Sequence, residues 1–141
     1  MKEDDGDAEV VAPRLPRQHP YYVTPAGYER LEQRLAEAQA AENARDVEDL
    51  QERIEAAIVV DPRTQTRDVV AFGAEVTVEE PGAKRRKYRI VGEDEADPLS
   101  GTISWLSPLA QALLQHKAGD RVIWERPAGN IPLRIIDIEY A

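Results

Sequence analysis

The side chains able to do chemistry in this 141-residue chain are mostly carboxylates. Glu42, Asp46, Glu48 and Asp49 lie close together. Carboxylates grouped at a projecting tip can be placed on a remote metal or a basic site. The plainer alternative is a solvated acidic face that keeps a small helical segment soluble. A second group runs Gly92-Glu93-Asp94-Glu95-Ala96-Asp97. It lacks the alternating ligands and sixth-position Gly of a calcium loop, so a polar turn accounts for it. Lys84-Arg85-Arg86-Lys87 is a basic run beside a turn, read as a solvated hairpin end or a phosphate contact. His116 follows a short helical segment, where a cation suits the helix dipole. There is no Cys, which excludes a disulfide scaffold, a thiolate zinc site and a cysteine nucleophile. His19 and His116 are the only imidazoles, so one chain cannot build a three-His site. No nucleophile–base pair, P-loop or dinucleotide fingerprint is visible.

The net charge of −9 argues against tight nonspecific binding to nucleic acid, which needs excess Lys and Arg. Its distribution is uneven: net −2 over residues 1–20, −6 over 21–62 and −1 over 63–141. The acidic, Pro-containing opening reads as a disordered tail over residues 1–20. It has no basic start followed by an apolar run, as a secretory signal requires. No stretch reaches the ~18 apolar residues that span a bilayer. A cytoplasmic protein with no membrane partner is the expectation.

The acidic segment 21–62 predicts a helical hairpin. Thr24-Pro25 is a helix start, with Thr as cap and Pro at the first position. Tyr28, Leu31, Leu35 and Ala38 form one apolar stripe; Val47, Leu50, Ile54 and Ala57/Ile58 form another. The stripes are out of phase, so two antiparallel helices joined near 41–44 keep both facing inward. Asp61-Pro62 ends the segment. Residues 63–141 predict an antiparallel sheet with one short helix. The strand signals are Val69–Val78, Lys87–Val91, Thr102–Trp105, Arg121–Trp124 and Ile131–Tyr140. Ser107-Pro108 starts the helix. The whole is α+β.

The C-terminal half resembles the GreA/GreB transcription elongation factor family. The residues carrying the resemblance begin with Phe72-Gly73-Ala74-Glu75-Val76 and Tyr88 through Asp97. They continue through Ile103-Ser104-Trp105-Leu106-Ser107-Pro108 to Leu114, then Gly119-Asp120 and Ile138-Glu139-Tyr140. Upstream, Tyr22 through Tyr28 resembles the family's helix start.

The resemblance implies an FKBP-like C-terminal domain without prolyl isomerase activity, since fold alone does not carry function. It implies a coiled coil that enters the secondary channel of bacterial RNA polymerase. The chain would be an accessory factor rather than an enzyme, with no cofactor of its own. Tip acids, here Glu42 and Asp46 assisted by Glu48 or Asp49, would share the polymerase's Mg²⁺, and the polymerase would cut the backtracked transcript. Asp94, Glu95, Ser107 and Pro108 would contact the polymerase. Nucleic acid would be met only through that complex.

The sequence departs from the family at three points. Its helices are about half the usual length, a loss of ~22 Å of reach. The family's tip reads acid, two spacers, Glu-Asn-Ala. Glu42-Asn43-Ala44 matches, but Gln39 stands in place of the acid. Gln115 stands where the family usually has Gly. The alternative is therefore a short-coil polymerase-binding regulator without cleavage activity, similar to the regulator of nucleoside diphosphate kinase or anti-Gre factors. A further alternative is an interaction module that dimerises through seam residues such as Leu31 and Ile54.

Overall fold

The computed structural model describes residues 19–140. The tail expected over 1–20 thus lies, apart from His19 and Pro20, outside the described residues. Strand β1 is Tyr21–Val23, and helix α1 follows at Pro25–Ala40. The Thr24 hydroxyl accepts the Gly27 N–H at 3.0 Å, and Pro25 occupies the first turn. Helix α2 is Ala44–Ala56, followed at once by β2, Ala57–Val59.

The expected second stripe holds as far as Ala57, which packs on the hairpin core, and its Ile58 member is corrected here. The chain leaves the helix at Ala56, and Ile58 is 47 % exposed. The β-branched run Ile58-Val59-Val60 favours extended backbone. Tyr21–Val23 supplies the partner, pairing in parallel from Tyr21↔Ala57 to Val23↔Val59. The hairpin core holds Tyr21, Val23, Leu31, Ala38 and Leu50, with Leu35, Val47 and Ile54 packed around it. Leu31 is only 4 % exposed, so it is not a free seam for a second copy.

The turn between the helices closes without Gly. The Glu42 N–H donates to Gln39 O at 3.1 Å and the Asn43 N–H to Ala38 O at 3.0 Å. This is the paired bonding of a Schellman ending, which places Glu42 at the left-handed position with φ 55°. Asn43 then caps α2, accepting the Asp46 N–H at 3.2 Å and donating to Asp46 Oδ2 at 2.9 Å.

The remaining chain forms β3 (Glu75–Glu80), β4 (Lys84–Val91), β5 (Thr102–Ser104), α3 (Pro108–Leu113), β6 (Arg121–Trp124) and β7 (Ile131–Glu139). The sheet order is β5-β4-β3-β7-β6. It is mixed rather than wholly antiparallel, because β4 and β5 pair in parallel. The strand expected from Val69 begins only at Glu75. Residues 69–74 instead turn through Gly73 at φ 90°, with Phe72 O accepting from Gln65 Nε2 at 3.0 Å. One sheet face and α3 enclose Val76, Val78, Ile90, Leu109, Leu113 and Ile135. Tyr140 anchors the segment before β3: its hydroxyl donates to Val69 O at 2.7 Å and accepts the Ala71 N–H at 2.9 Å. Burial pushes the Tyr140 phenol above its ordinary pKa, against the lowering effect of the Ala71 N–H.

Candidate functional site at the hairpin tip and root

The structure places the expected residues in two regions, the hairpin tip and its root against the sheet. The tip carboxylates line two different clefts. Asp46 and Asp49 share a cleft of about 280 Å³ with Arg34, Glu37 and Asn43. Glu42 and Glu48 share another, of about 500 Å³, with Gln39, Val47 and Gln51. Glu42 and Asp46 therefore do not converge. Asp46 is partly committed to the Asn43 cap, whereas Glu42 is exposed on a left-handed backbone. Among the described residues, no group of three His, Cys, Asp or Glu side chains is arranged to hold a metal. Among the described residues, the tip carboxylates therefore do not form a closed metal site of their own.

At the root, Glu95 faces inward while its neighbour Asp94 stays exposed at the surface. The Glu95 side chain is only 7 % exposed. Its carboxylate accepts the Thr24 N–H at 2.9 Å, the Thr24 hydroxyl and the Gly92 N–H at 3.1 Å. The Arg30 guanidinium stands 3.5 Å away. Asp94 accepts from the Tyr21 hydroxyl and from Arg53 Nη1 at 3.3 Å. Around them, Tyr22 packs on Trp105 with ring centres 4.9 Å apart and on Phe72 at 5.7 Å. The Trp105 Nε1–H is buried with no hydrogen-bond partner among the described residues.

Ser107 caps α3 by accepting the Ala110 N–H at 3.2 Å, and Pro108 is exposed beside it. Sequence reasoning missed the neighbouring turn. Asp97 caps Pro98–Ser100 through the Leu99 N–H at 3.2 Å and takes the Ser100 hydroxyl at 2.7 Å. This turn holds Leu99 at 99 % exposure.

Other candidates have plain explanations. Lys84–Lys87 lies within β4, where Arg85 and Arg86 pair across the ladder with Glu79 at 3.6 Å and Glu80 at 2.9 Å. The Gly92–Asp97 group is a turn that stitches the hairpin to the sheet. His116 lies 3.3 Å from Asp120 with no nucleophile in the contact. No helix among the described residues is long and apolar enough to cross a membrane.

Residues 64–140 match the family model described as "Transcription elongation factor, GreA/GreB, C-term". Transcription elongation factor GreB of Neisseria meningitidis serogroup B is 40 % identical over 92 residues, 64 % of this chain and 56 % of that protein. GreA of Limosilactobacillus fermentum is 36 % identical over 114 residues, 74 % of this chain and 72 % of that one. The chain thus spans little more than half of the GreB length it matches. Among solved structures, a GreA/GreB factor from Nitrosomonas europaea aligns with TM-score 0.48 and 27 % identity, covering 85 % of this chain and 99 % of that one.

Proposed function

We propose, from the premise that this chain belongs to the GreA/GreB family of transcription elongation factors, that it binds bacterial RNA polymerase and acts in the cytoplasm as an accessory elongation factor. The sheet domain docks on the rim of the secondary channel through the exposed Leu99 turn and the Ser107-Pro108 end of α3. The hairpin enters the channel. Glu42 and Asp46 would present their carboxylates toward the polymerase's Mg²⁺, which when bound would supply the means to activate water for cleavage of the backtracked transcript's 3′ end. Two metals or a metal with an added ligand can orient water for such in-line attack.

The observation that carries this reading is Glu42. It is an exposed acid on a left-handed backbone at a turn where Gly would be easier. Backbone strain of that kind clusters at functional sites, and here it falls on an acid at the tip. A second reading, channel occupancy without cleavage, is favoured by one arrangement: Glu42 shares its cleft with Gln39 while Asp46 lines the other.

Stalled, backtracked elongation complexes separate the readings. Short 3′ RNA fragments released by the wild type, and lost in Glu42→Ala plus Asp46→Ala, support cleavage stimulation. No fragments, together with suppression of cleavage driven by an added Gre factor, support occupancy alone. Absence of retention on core polymerase at micromolar protein sinks both.

A further inference from the structure

We infer that Glu95 is a positioning residue that aims the hairpin, by completing the N-terminal cap of α1 from the sheet domain. In a local capping box, the cap hydroxyl takes the N–H of the third helical residue, and a Glu or Gln at that position reaches back to the cap's own N–H. Here Thr24 makes the first bond, to the Gly27 N–H at 3.0 Å. The third position is Gly27, which has no side chain to return the second. Glu95, 71 residues away, returns it: its carboxylate accepts the Thr24 N–H at 2.9 Å. A Cβ on Gly27 would collide with that carboxylate. A Cβ on Gly92 would strike both Glu95 and Tyr22 O. The capping box is thus split between two parts of the fold, and two glycines form its socket. A carboxylate at a helix N-terminus also suits the macrodipole. The cap of α1 closes only when the hairpin stands in one direction relative to the sheet.

That direction matters because α1 is a lever. Its 16 residues span about 24 Å, so a 10° tilt at the root moves the tip by about 4 Å. Displacements of about 1 Å are already costly where groups must meet a reacting centre. Asp94, held by Tyr21 and Arg53, braces β1 and α2 from the same loop. The functional part of this inference rests on the reading above; the geometric part does not.

The chain has no Cys, so two labels can be placed cleanly. Spin labels at Gln39→Cys on the hairpin and Lys87→Cys on the sheet read the hairpin direction by pulsed dipolar spectroscopy of the full chain. The wild-type background should give one narrow distance. Glu95→Ala should broaden or shift it by about 4 Å or more. Should Glu95→Ala not fold, Gly27→Glu with Glu95→Ala decides, because it restores a local capping box while cutting the tie to the sheet. It should keep the helical circular dichroism and still lose the narrow distance. Fragment release should then fall together with the loss of the narrow distance. An unaltered distance in the folded variants overturns the inference. So does loss of polymerase retention with an unaltered distance, which would make Glu95 a polymerase contact. If the wild type itself does not bind polymerase, the functional reading fails while the distance result still decides the split cap.

Discussion

Replacing Glu42 by Gly should move stability and activity in opposite directions. Glu42 sits at φ 55°, where an L-residue pays about 1–2 kcal/mol for the approach of Cβ to its own carbonyl. Glycine removes that clash but loses about 0.5–1 kcal/mol more backbone entropy on folding. The net expectation is a gain of about 0.5–1 kcal/mol. The two bonds that close the turn, from Glu42 N–H and Asn43 N–H, are backbone bonds and survive the change. The assay is urea unfolding of wild type, Glu42→Gly and Glu42→Ala, followed by fragment release from backtracked complexes. Glu42→Gly should raise the midpoint at unchanged slope, whereas Glu42→Ala should leave it near wild type because it keeps the Cβ. Both should lower fragment release if the carboxylate serves the polymerase metal. A Glu42→Gly protein less stable than wild type would refute the strain argument. Full activity in both variants would refute the role of Glu42 at the tip.

Five further outcomes are expected. Duplicating Leu31–Glu37 in α1 and Val47–Arg53 in α2 adds one heptad to each helix, extends the tip by about 10 Å and turns it by only about 20°; fragment release should rise if reach is limiting, and an unchanged rate at retained binding excludes reach as the limit. Tyr140→Phe leaves Val69 O and the Ala71 N–H without their shared partner and should cost about 1–3 kcal/mol in urea unfolding. Because burial raises the Tyr140 and Tyr88 pKa values, their stabilisation is complete below the ordinary tyrosine pKa of about 10 and declines as pH rises above it, so the wild type should lose stability in that alkaline window and Tyr140→Phe should lose less. Asp120 is held below its ordinary pKa first by the Lys117 N–H and then by His116, so its stabilisation is present above the ordinary carboxylate range and lost as pH falls through the lower folded value; Asp120→Asn should flatten the acid limb of the stability curve. Leu99→Ser should leave thermal stability unchanged, since Leu99 buries nothing, and weaken retention on core polymerase.

The parts of the fold legible in the sequence are those whose physics is local. Thr24-Pro25 and Ser107-Pro108 announce helix starts because the cap and the first-turn proline act within four residues. The phase change between the Leu31 and Leu50 stripes called for two helices, and Leu31, Ala38 and Leu50 are buried together. The turn carried no such signal, because its left-handed position is filled by Glu42 rather than Gly; Gln115, at φ 73°, does the same after α3. Strand β2 was hidden because its partner, Tyr21–Val23, lies on the far side of both helices. The site was least legible at Glu95. The acidic run around it reads as a polar turn, and only folding brings its carboxylate to Thr24. One trace was present in the sequence: Gly27 inside a helix, which costs about 1 kcal/mol relative to Ala and so asks for a packing reason.

The aromatic contact at the root has an optical consequence. Trp105 lies 4.9 Å from Tyr22, which travels with the hairpin, while its Nε1–H meets no acceptor among the described residues. An indole so sheltered emits to the blue and collects excitation from the adjoining phenol. Release of the hairpin would wet the ring, redden its emission and cut that transfer. Trp124, stacked under Arg126 at 5.2 Å on the opposite sheet edge, would stay constant as an internal standard. The chain therefore carries its own dye pair for watching the hairpin seat and unseat.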